Sequence, residues 1–141
     1  MIKQGEQAPD FELRDQDGNP VRLSELRGSP VVLYFYPEAD TPGCTTQACG
    51  IRDRKKEYDA TGAVVLGVSP DPVEAVKRFH DKRSLNFTLL ADEDHAVCEL
   101  YGVWSGRAER TTFVIDAGGV VSKVLPKVSP KQHDDLVLAA L

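Results

Sequence analysis

Sulfur is scarce in this sequence: three cysteines and one methionine in 141 residues, with a single tryptophan. An odd set of three cysteines does not build a stapled disulfide framework, and the Cys-x-x-Cys pair usual in thiol-disulfide oxidoreductases is missing. A zinc site drawn from Cys44, Cys49, Cys98 and a histidine lacks a second close pair of ligands, so no metal and no cofactor are expected. The chain has no excess of positive charge either. Its net charge is −5, which disfavours a nucleic-acid reader. The run Arg52-Asp53-Arg54-Lys55-Lys56 is broken by acids and reads as a solvated helix face. No apolar stretch is long enough to span a bilayer, and the N-terminus lacks the apolar core of a secretion signal; a cytoplasmic protein is expected. No exposed apolar stripe marks an interface, and no repeat or linker divides the chain, so a monomer with one domain over residues 1–141 is expected.

What is present is ordinary for a globular protein, 41% hydrophobic and 28% charged residues, except in one stretch. The run Val31-Val32-Leu33-Tyr34-Phe35-Tyr36 is short, β-branched and aromatic, and is bounded by prolines, the pattern of a buried central strand. It leads into Pro37-Glu38-Ala39-Asp40-Thr41-Pro42-Gly43-Cys44. Thr41 has N-cap chemistry and Pro42 suits a first helical position, so a helix is expected from there to about Thr61-Gly62. Cys44 then falls in the first turn, where unpaired amide N–H groups and the positive end of the helix dipole favour a thiolate over a thiol. The commonest fate of a free cysteine is burial as a small hydrophobe. The surrounding Pro-Gly turn is exposed-loop chemistry and argues against that fate here.

Cys49 follows five residues later. On an ideal helix the two Cα atoms lie roughly 8–9 Å apart and about 140° around the axis. A disulfide needs less than about 7 Å. The spacing suits one thiol that reacts first and a second that closes onto it only after the helix frays.

The remaining chain alternates. Residues 10–14 and 20–23 flank a turn-rich stretch and should form a hairpin, and Ser24 to Gly28 a brief helical turn. Ala63 to Val68 reads as a buried strand parallel to the first, because a helix intervenes. Asp71-Pro72-Val73-Glu74 carries a capping signature for a helix to about Arg83. Phe87 to Leu90 is a short strand, and Asp94 to Tyr101 a helix carrying His95 and Cys98. Arg110 to Asp116 and Val120 to Leu125 are two strands joined by Ala117-Gly118-Gly119. Ser129-Pro130-Lys131-Gln132 repeats the capping pattern before a last helix. Cys98, His80, His95, Tyr101 and Trp104 read as core, pocket-wall or surface residues. The whole is a mixed α/β sandwich.

Pro37, Thr41-Pro42-Gly43-Cys44-Thr45-x-Gln47-x-Cys49 and Arg52-Asp53 closely resemble the active-site segment of peroxiredoxins of the Q type, also called bacterioferritin comigratory proteins. Further blocks agree: Ala8-Pro9-Asp10-Phe11, Asp94-His95, Tyr101-Gly102-Val103-Trp104, and Arg110-Thr111-Thr112-Phe113-Val114-Ile115-Asp116. Gln47 stands where many members carry glutamate.

The resemblance implies a thioredoxin-like three-layer sandwich with a central mixed sheet and an N-terminal β-hairpin extension. It implies a thiol-dependent peroxidase that reduces hydrogen peroxide and organic hydroperoxides through a Cys44 sulfenic acid and a Cys44–Cys49 disulfide, recycled by a thioredoxin-like reductant. Arg110 is then the cation beside the sulfur; from its position alone, ahead of a strand, it reads as a surface arginine. Thr41 would hydrogen-bond beside the sulfur and Pro37 would shield it, although Thr41 serves equally as a plain N-cap. The rival reading is a thiol-disulfide oxidoreductase or a redox-sensing binding module without peroxidase activity.

Overall fold

Strand pairing in the computed structural model, which describes residues 1–141, follows the apolar runs. The central strand β3 (Val31–Phe35) lies parallel to β4 (Val64–Ser69), as the intervening helical segment requires, and β5 (Thr88–Ala91) continues parallel beyond β4. On the other side of β3 runs antiparallel β6 (Thr111–Ile115), followed by β7 (Val121–Leu125). The hairpin β1 (Glu12–Asp15) and β2 (Pro20–Arg22) adds to the free edge of β5, giving the order β2-β1-β5-β4-β3-β6-β7. The mixed sheet and its hairpin extension agree with the expected fold.

Alternation along β3 sends its side chains into two cores. Val31, Leu33 and Phe35 face one side, with Val97, Cys98 and Tyr101 from α4 (Ala96–Leu100) and the residue after it. Val32 and Tyr34 face the other, with Tyr36 beyond the strand end. That second side is covered by α1 (Pro42–Asp53), α2 (Lys55–Ala60), α3 (Val73–Lys82) and α5 (His133–Ala140). Burial of each such side chain contributes about 1.5–3 kcal/mol. Gly67 sits beside Tyr34 in the parallel register, and a Cβ there would fall 2.7 Å from the tyrosine ring. A glycine inside β4 is therefore a packing requirement, since the neighbouring aromatic ring takes its place.

Several helix boundaries differ from the expected ones, each for a local reason. The helix expected to run to Gly62 breaks at Arg54 (φ −107°, ψ 20°) into α1 and α2. Asp71 does not cap α3: its carboxylate accepts the Ala39 N–H at 2.8 Å, and the helix starts at Val73. Helix α4 is shorter than expected. His95 takes a left-handed conformation (φ 52°), and the buried Asp92 receives the Val97 and Cys98 N–H groups at 3.1 and 2.8 Å. The last helix starts three residues later than its sequence pattern, with Gln132 rather than Ser129 at the cap and His133 as its first residue.

Candidate active site

The strand β3 ends at Phe35 and hands over to the loop that leads into α1. Tyr36 N–H still bonds Val68 C=O (3.0 Å), and Pro37, half-buried, has no N–H with which to continue the ladder. Asp40 is left-handed (φ 62°) and pairs with Lys82 at 2.7 Å and Arg83 at 3.3 Å. The Lys82 hydrogen bond chiefly holds the Asp40 carboxyl below the ordinary carboxylate range. The loop thus reaches α1 already tied to α3.

Thr41 occupies the N-cap with extended backbone (φ −86°, ψ 157°), as expected, and its carbonyl accepts the first helical bond from Thr45 N–H at 2.8 Å. Its side chain does something else. The hydroxyl donates to Glu38 C=O at 2.9 Å, so no side chain caps the helix. Pro42 has no N–H, and the N–H groups of Gly43 and Cys44 precede the first intrahelical bond. The open end of the dipole is therefore directed at whatever binds beside Cys44.

Arg110, just ahead of β6, crosses this first turn. Its Nη2 donates to Cys44 Sγ at 3.3 Å and its Nη1 donates to Gln47 Oε1 at 2.7 Å. Cys44 and Gln47, three apart on α1, share one face, and the planar guanidinium fork spans both. Gly43 makes room for it: a Cβ there would lie 3.1 Å from Arg110 Nη2. The neutral Gln47 amide leaves the arginine's charge to the sulfur.

The sulfur itself is covered. Cys44 is 1% exposed and belongs to the core cluster of Tyr34, Tyr36 and Ala48, contrary to the expectation of an exposed loop thiol. The Pro-Gly turn is at the surface, but the cysteine side chain turns inward from it under Arg110. The Arg110 guanidinium is the cationic donor that contacts the sulfur there. Cys49 lies on the same helix, half-buried, and all three thiols are free. Cys98 is on the opposite face of the sheet, so the three sulfurs cannot share one zinc ion. Burial, with the Asp92 carboxylate beside it, pushes the Cys98 thiol well up, which keeps it protonated. His95 stacks on Trp104 with ring centroids 4.0 Å apart.

Sequence reasoning missed His133. It is fully buried, its Nε2 is 2.8 Å from Thr112 Oγ1, and its ring packs on Tyr34. Burial first, and then the Arg110 cation, push its pKa down to about 4 from 6.5. The unfolded chain then takes up a proton before the folded one does as pH falls. Stability from this group is complete above pH 6.5 and is lost on acidification towards 4. Urea unfolding at pH 7.5 and 4.5 should show the native protein losing on the order of 2–3 kcal/mol more than His133→Gln. Equal losses in the two proteins contradict the assignment.

The site thus sets a free thiol in the first turn of the helix that follows the central strand of a thioredoxin-like sheet, with a guanidinium donating to its sulfur. Comparison with known proteins agrees. The AhpC/TSA family matches residues 4–124. Peroxiredoxin Bcp of Escherichia coli is 47% identical over 97% of this chain and 94% of that protein. The crystal structure of peroxidoxin BcpB from Mycobacterium tuberculosis superposes with a TM-score of 0.95 at 42% identity, covering 99% of this chain and 96% of that one. The bacterioferritin comigratory protein of Xanthomonas campestris, whose structures are described in terms of alkyl peroxide reduction, gives a TM-score of 0.89 at 34% identity, covering 92% and 88%. The chain belongs to the AhpC/TSA family, as a peroxiredoxin of the Bcp or Q kind, and is a thiol-dependent peroxidase.

Proposed function

We propose that Cys44 is the peroxidatic nucleophile and Cys49 the resolving thiol of an atypical two-cysteine peroxidase. The observation that carries this reading is the Arg110 fork on Cys44 Sγ and Gln47. The Cys44 thiolate attacks the terminal oxygen of a hydroperoxide. An S–O bond forms as the O–O bond breaks, the electron pair leaves with the inner oxygen, and protonation gives water or an alcohol. Arg110 donates to the sulfur and, as charge moves, to the peroxide oxygens, and the Gly43 and Cys44 N–H groups at the same helix start are left without an intrahelical acceptor. Thr41, whose hydroxyl proton goes to Glu38 C=O, orients the peroxide by accepting from its O–H, and Pro37 keeps water from the sulfur. Cys49 then condenses with the Cys44 sulfenic acid, forming the S–S bond with loss of water, and a thioredoxin-like dithiol reduces the disulfide by exchange.

No helix is long and apolar enough to cross a membrane. A monomer working in the cytoplasm fits the acidic, charged surface. Cys49→Ser tests the resolving role. With one equivalent of hydroperoxide it should react at the normal rate and leave Cys44 as the sulfenic acid, without further turnover; a second equivalent should be consumed only in converting that sulfenic acid to sulfinic acid, both read in intact-protein mass spectra. Undiminished steady turnover with thioredoxin rules out Cys49.

A further inference from the structure

Three consecutive residues at the start of α5 reach three other parts of the fold. His133 meets Thr112 of β6, Asp134 accepts a hydrogen bond from the Tyr58 hydroxyl of α2, and Asp135 pairs at 2.6 Å with Arg54, where α1 and α2 part. The middle contact is the buried one: Tyr58 is 0% exposed and Asp134 8%. The second Asp134 oxygen lies against Gly50, where an added Cβ would fall 2.5 Å from it. Only a glycine lets the carboxylate seat on the back of α1, and that glycine directly follows Cys49.

Cys49 cannot reach Cys44 while the helix between them is intact. Unwinding that brings the sulfurs together displaces Gly50 as well, and with it the surface on which Asp134 rests. A carboxylate buried there is tolerated through the Tyr58 hydroxyl, which donates to it from the core. Burial pushes both the Asp134 acid and the Tyr58 hydroxyl up, consistent with a desolvated contact. The contact therefore belongs to the closed helix and opposes its opening. Neither residue touches the sulfur or a peroxide.

We propose that Tyr58 and Asp134 form a clasp on the back of α1 that sets how readily its Cys49 half unwinds, and so divides oxidised Cys44 between disulfide formation and further oxidation. The proposal rests on the reading of Cys49 as the resolving thiol. These are positioning residues: they govern the second step of the cycle and leave the first alone.

Tyr58→Phe keeps the ring and deletes the donor, while Asp134→Asn keeps the shape and removes the charge. In the full-length protein, rapid mixing with one equivalent of hydroperoxide should show Tyr58→Phe forming the disulfide roughly tenfold faster than the native protein, the scale set by one lost charge-assisted hydrogen bond. Asp134→Asn should move the same way by less, and it decides the matter if Tyr58→Phe does not fold. With excess hydroperoxide the sulfinic fraction of Cys44 should fall in both, at an unchanged rate of the first oxidation. Amide exchange should rise across residues 42–53 and stay unchanged in β3. Native disulfide rates and sulfinic fractions in folded variants overturn the clasp, as does acceleration accompanied by an equal loss of protection in β3. If the native protein itself forms no Cys44–Cys49 bond, the resolving role of Cys49 fails instead, and the two failures are distinguishable.

Discussion

Cys44→Ser is expected to abolish peroxide consumption, with the second-order rate falling at least ~1,000-fold. A serine hydroxyl is close in size and fits beneath Arg110, so the fold should survive. Its chemistry does not. An alkoxide is far harder to form than a thiolate, and the site provides no base to make one: Arg110 only donates, and the His133 Nε2 is engaged with Thr112. Loss of hydroperoxide can be followed in the presence of thioredoxin and its reductase, with a circular dichroism spectrum to confirm the fold. A folded variant that retains a tenth of native activity shows that another group attacks.

Arg110→Ala should cost the next largest amount, on the order of 10²–10³ in the rate of reaction with hydroperoxide. Two contacts are lost at once, since the same guanidinium donates to Cys44 Sγ and to Gln47 Oε1. The buried sulfur then has no cation beside it in the thiolate state, and no donor follows the charge onto the leaving oxygen. Arg110→Lys should recover only part of the loss, because an ammonium group restores a point charge without the planar fork. The reduction half should be spared, so the dependence on thioredoxin concentration should stay near native while the dependence on hydroperoxide collapses. An alanine variant within fivefold of the native rate contradicts the role given to Arg110.

The parts of this arrangement that could be read in the sequence are those with local causes. The Val31–Tyr36 run, the Thr41-Pro42-Gly43 helix start and the five-residue spacing of the two cysteines each follow from side-chain periodicity, turn chemistry or helix geometry. So does the crossover that makes β3 and β4 parallel. Long-range contacts hid the rest. Thr41 looked like a capping side chain, but its hydroxyl turns back to Glu38. Asp71 looked like a cap for α3, but the Ala39 amide claims its carboxylate. The burial of Cys44 depends on Arg110, 66 residues away, and the seat of Asp134 on Gly50 depends on Tyr58, 76 residues away. His133 carried no local signal at all, standing as a polar residue ahead of an apolar helix. Arg110 was legible only through family resemblance, because an arginine before a strand otherwise suggests surface. Composition and spacing single out the candidate thiol; only the folded chain supplies what surrounds it.

The most direct measurement is a non-reducing peptide map by mass spectrometry after one equivalent of hydroperoxide. The account predicts a single linkage, Cys44 to Cys49, with Cys98 recovered as a free thiol. A linkage that includes Cys98, or full recovery of free Cys44 after the oxidant has been consumed, contradicts it.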